Sequence, residues 1–128
     1  MWPVRARCCT SPADDAALLL RIVGRHLQGM RLNLDPAYPD EEWGFQAQQA
    51  LEKLLKAALV LRDQLPERTH ELGRLVAQLG EPLPEALTAL QVYEVEARYG
   101  EGPFALPLER VELMRLLDER LAALQASC

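Results

Sequence analysis

The sequence predicts an all-α protein, an up-and-down bundle of about five helices. Three observations carry this. The 128 residues include 25 leucines against two phenylalanines, so the core is aliphatic and rich in good helix formers. Apolar residues recur at intervals of three and four in five successive segments. Proline and glycine punctuate the chain between those segments. The length suits one hydrophobic core, so residues 11–128 read as a single domain. Residues 1–10, with Trp2, Cys8 and Cys9, read as an N-terminal arm.

The first helix opens with Ser11 as N-cap, Pro12 at the first position and Asp14 and Asp15 in the first turn, each favourable there. Ala16, Leu19, Leu20, Val23, Leu27 and Met30 form its apolar stripe as far as about Arg31. Gly24 and Gly29 weaken it unless a neighbour packs closely. A turn-rich loop follows, and Asp40 is the expected cap of a second helix reaching Arg62. One face of that helix holds Trp43, Ala47, Leu51, Leu54 and Ala58. The opposite stripe holds Glu42, Gln46, Gln49, Lys53 and Lys56. Pro66 breaks the chain. Thr69 is expected to cap a third helix, His70 to Leu79, which Gly80 ends. A fourth is expected from Pro84 to Tyr99. A fifth starts at Pro107, with Leu113, Leu116, Leu117, Leu121 and Leu124 as its seam. Short connections favour antiparallel neighbours.

The net charge of −5 is unevenly spread, with the excess of acid in the last third. No basic stripe of the kind that holds duplex DNA is present. The longest run without a charged residue is Trp43–Leu51, too short to span a bilayer. Three cysteines, Cys8, Cys9 and Cys128, fit a reducing cytoplasm better than a disulfide-stapled fold. With two histidines, His26 and His70, the sequence predicts no metal site and no cofactor.

Two phrases are more specific than composition. One is Phe45, Gln48, Gln49, Glu52, Lys53, Lys56 and Ala57 on the second helix. The other is Arg68, Thr69, His70 and Leu72 beyond the proline loop, followed later by Ala97, Arg98 and Tyr99. Together they resemble the HEPN family over roughly residues 13–125. The resemblance implies a dimeric helical bundle. It also implies a role in binding nucleotide or RNA, as a toxin–antitoxin component working with a minimal nucleotidyltransferase. Active HEPN ribonucleases carry Arg, four to six residues, then His, late in the domain. Beyond Arg98 the corresponding positions are Pro103, Phe104 and Ala105, and no histidine follows His70. A catalytically degenerate member is therefore expected. The alternatives are a metal-independent RNase toxin and a purely structural dimer that holds a partner.

The expected ligand-binding residues are Gln49, Lys53, Lys56, Arg98 and Tyr99. The lysines offer point charges to phosphate, Gln49 an amide edge to a base, and Tyr99 a stacking surface. Gln48, Glu52, Thr69 and His70 read as structural residues of the motif, with Gln48 making an interhelical hydrogen bond and His70 orienting its loop against Gln48 or the second helix. Glu52, four residues before Lys56, has the orientation of a surface ion pair. For catalysis the candidates are His70 and the pair Arg21–His26, which has RNase spacing but sits on the first helix.

Overall fold

The computed structural model describes residues 11–94, 99–100 and 102–128. It is all-helical, with no strand among the described residues. Helix α1 spans Pro12–Leu32, α2 Asp40–Leu61, α3 Leu72–Leu79 and α4 Glu85–Thr88, which runs into a 3-10 helix, η1, Ala89–Tyr93; α5 spans Arg110–Ala126. The start of α1 is as expected. Ser11 Oγ accepts from the Asp14 N–H and Asp14 reaches back to the Ser11 N–H, a reciprocal capping box.

Helices α1 and α2 are the main packing pair, and α3, η1 and α5 also lie against α2. Three cross-helix relations show that α1 and α2 run antiparallel. Trp43 Nε1 donates to the Met30 carbonyl at 3.0 Å, Gly29 faces the Gln46 side chain, and His26 feels the charge of Lys53. One core joins Val23, Leu27 and Met30 of α1 to Trp43, Leu51, Leu54 and Leu55 of α2, Leu72 and Leu75 of α3, Leu90 and Tyr93 of η1, and Leu113 and Leu117 of α5. Surrounded this way, α2 buries far more than one stripe: twelve of its 22 residues are inside. The expected polar stripe is therefore a set of seams between neighbouring helices.

Four boundaries differ from the expectation. Pro39, not Asp40, is the N-cap of α2. Helix α3 starts at Leu72, because the His70 carbonyl is held by Gln48 Nε2 at 3.1 Å. The Leu72 N–H is capped from η1 by Gln91 Oε1. Thr69 makes a local turn instead, its hydroxyl accepting from the Glu71 N–H at 3.0 Å. The segment after α4 tightens into η1, which sets Leu90 and Tyr93 one above the other. Tyr93 then lies so close to Gly44 that a Cβ there would stand 2.6 Å from its ring. Helix α5 begins at Arg110, three residues later than Pro107 suggests, because the Arg110 side chain binds the 33–40 loop.

Candidate functional site

Sequence alone places Glu52 on a helix surface. The structure buries it: its side chain is 3 % exposed, and with Gln48 it forms the buried polar pair of the described residues. A carboxylate in that position needs partners. Lys56 Nζ donates to Oε2 at 3.0 Å, and His70 Nδ1 lies 3.1 Å from both carboxylate oxygens. The expected surface pair with Lys56 is therefore an interior one. It forms because α3 and the preceding loop close over that side of α2.

Gln48 Nε2 reaches both Glu52 Oε1, at 3.4 Å, and the His70 carbonyl. Gln49 Nε2 donates to Gln48 Oε1 at 2.8 Å and to Glu94 Oε2 at 3.2 Å. Lys53 Nζ donates to Gln49 Oε1 at 3.0 Å. One relay thus runs from Lys53 through Gln49 and Gln48 to Glu52 and His70, with Glu94 attached. Its members come from α2, the loop before α3 and the end of η1. Spacing on α2 alone puts Gln49, Lys53 and Lys56 side by side. Glu94 joins them only through the packing of η1, and no sequence motif marks it.

Electrostatics separate the two ends of this relay. Around Glu52, opposite charges and hydrogen bonds are matched. Around Lys53, charges of both signs gather. Its ammonium is pushed below its ordinary pKa chiefly by burial; Glu52 and Glu94 oppose the shift and Lys56 adds to it. His26, across on α1, is likewise pushed down by burial first, then by Lys53 and Arg25. Two half-buried bases thus sit across the α1–α2 seam, beside the Glu52 and Glu94 carboxylates.

The remaining expected site residues are less connected. Arg21 and His26 are five residues apart on α1, about 140° around its axis. Arg21 is exposed while His26 is half-buried, so they lie on different faces of α1. Tyr99 presents an exposed ring. Arg98 lies outside the described residues, as does the arm with Cys8 and Cys9.

A family model for the HEPN domain matches residues 16–120. The chain belongs to the HEPN family. The match spans α1 through most of α5, so the bundle and the relay on α2 both lie inside the HEPN domain. No curated protein and no solved structure matches the chain. Among the described residues no helix is long and apolar enough to cross a membrane.

Proposed function

We propose that this HEPN protein binds the phosphate groups of a nucleotide or of single-stranded RNA at the seam between α1 and α2, without cleaving them. The observation that supports this is a pair of half-buried bases on adjacent helices, each held below its ordinary pKa chiefly by burial, with Lys53 adding to the depression of His26. Holding them together costs stability in the free protein. An anion between them would relieve the desolvation and the repulsion at once. Among the described residues Lys53 donates to Gln49, which leaves two of its three N–H groups for an oxygen. Gln49 and Lys56 complete the contact set on α2, with Arg98 and Tyr99 as added charge and stacking.

The protein works as a homodimer in the cytoplasm, as a toxin–antitoxin component beside a minimal nucleotidyltransferase. We assign the dimer face to the surface shared by α1 and α5. There Leu32 and Val111 are 78 % and 68 % exposed, beside an apolar depression formed with Leu34 and Met114 and rimmed by charges of both signs. Mixed charge around an apolar centre suits pairing with a second copy. Sedimentation at tens of micromolar should give twice 14.4 kDa, and a monomer there removes this part of the reading.

Binding is measured with fluorescent ATP and a short single-stranded RNA. Lys53→Glu should weaken it by about 1–3 kcal/mol, the range of charged hydrogen bonds, and added salt should weaken the wild type. Unchanged affinity in Lys53→Glu and His26→Ala would end the proposal.

The RNase alternative has one observation in its favour. Buried Glu52 holds the His70 ring, whose side chain is otherwise 66 % exposed, as an acid–base histidine requires. A fluorogenic RNA assay on wild type, His70→Ala and His26→Ala separates the two readings. Cleavage lost in a folded His70→Ala would replace the binding reading with a catalytic one, and loss in His26→Ala would restore the Arg21–His26 pair.

A further inference from the structure

We infer that Glu52, His70 and Glu94 form a site for a single divalent transition-metal ion, with zinc the best match to their chemistry. This departs from the sequence expectation of no metal, and it does not depend on the phosphate-binding reading. The three residues offer ligand atoms that all lie within 4.8 Å of one another. They come from three segments far apart in the chain: α2, the loop before α3, and the residue after η1.

The geometry is close to a coordination shell. His70 Nδ1 stands 3.1 Å from each Glu52 oxygen. In a tetrahedral zinc site with bonds of about 2.0 Å, neighbouring ligand atoms are about 3.3 Å apart. The Glu52–His70 edge is therefore already set, and only the Glu94 carboxylate must draw inward. The supporting hydrogen bonds are also of the kind that orient metal ligands. Lys56 fixes Glu52 Oε2, Gln48 fixes the His70 carbonyl, and Gln49 fixes Glu94 Oε2.

Ligand type narrows the ion. An imidazole beside two carboxylates suits zinc or a similar first-row metal, whereas magnesium and calcium prefer oxygen alone. Two carboxylates supply the negative charge, with Lys56 and Lys53 opposing it. The ion takes over part of the neutralisation that Lys56 now gives Glu52, so moderate affinity is expected. Three protein ligands leave a fourth position on the side where His70 is open to solvent. That is the pattern of zinc sites that hold a water or a substrate oxygen, not of closed structural sites. The ion would also tie the loop before α3 to the end of η1.

The test uses the full chain, stripped of metal, titrated with Zn²⁺ against a chromophoric chelator. It is run first in a Cys8→Ser, Cys9→Ser, Cys128→Ser background, so that thiols cannot bind the ion. One zinc per chain is expected. His70→Ala, at an exposed position, and Glu94→Gln, at a half-buried one, should each weaken it about tenfold or more with unchanged far-UV circular dichroism. Co²⁺ in the wild type should give a spectrum without thiolate charge transfer. Absence of binding in the cysteine-free chain, unchanged affinity in either variant, or a thiolate band in the cobalt spectrum would overturn the assignment.

Discussion

The start and the middle of α2 both hold charged side chains against the core, and they are built differently. At its start, Arg110 is 10 % exposed. Its guanidinium donates to the carbonyls of Asn33, Asp35 and Tyr38 and to Asp40 Oδ1, and it lies 5.6 Å from the centre of the Trp43 ring. Four of its five N–H groups are used, all on protein atoms. In the middle of the helix, Glu52 is just as enclosed, but the groups around it are not used up. His70 reaches solvent, Lys53 keeps spare donors, and His26 and Lys53 are both held off their ordinary pKa values. A saturated buried charge is architecture, since it can accept nothing more. An incompletely matched cluster, maintained at a cost in stability, is where a ligand can act.

The largest effect should come from the saturated end. Arg110→Ala leaves the 33–38 carbonyls and Asp40 without their donor and frees Trp43. It should destabilise the fold by about 2–4 kcal/mol in urea unfolding, with ligand affinity unchanged per folded molecule. A loss below about 0.5 kcal/mol would erase the contrast drawn here.

Glu52→Gln comes next. It keeps the shape but leaves Lys56 with no carboxylate beside it, for an expected cost of about 1–2 kcal/mol. Unlike Arg110→Ala, it should also abolish metal binding. If the variant folds poorly, it can be measured with Gly24→Ala. Gly24 has nothing within 4 Å of an added Cβ, so alanine should add about 0.5–1 kcal/mol of helix stability.

The smallest effect is in the pH profile. The folded state holds His26 below its ordinary value, so below about pH 6.5 the unfolded chain binds more protons. The stability tied to neutral His26 is complete above that pH and is lost as pH falls through the depressed folded value. The midpoint of thermal unfolding should fall on acidification, less steeply in His26→Ala. Saturating phosphate ligand should flatten the wild-type profile, since a bound anion favours the protonated ring. A profile that ligand leaves unchanged would place the binding site elsewhere.

Much of this was legible in the chain itself. The spacing of leucines and the Ser11–Pro12–Asp14 opening determined an all-helical fold and the start of α1, because helix periodicity and capping are local properties. The phrases around Gln48–Lys56 and Arg68–Leu72 located the family. Arg110 could have been noticed too: a cation in the first turn of a helix opposes the dipole and so needs another reason to be there. What the sequence could not determine was which polar residues are inside. Glu52 reads as a surface residue because its pairing with Lys56 is local, while its burial depends on a loop and a 3-10 turn closing from elsewhere. Glu94 joins His70, and His26 faces Lys53, only through tertiary packing. Burial and charge proximity are sums over neighbours distant in sequence, so the site's chemistry was decided by the assembled bundle.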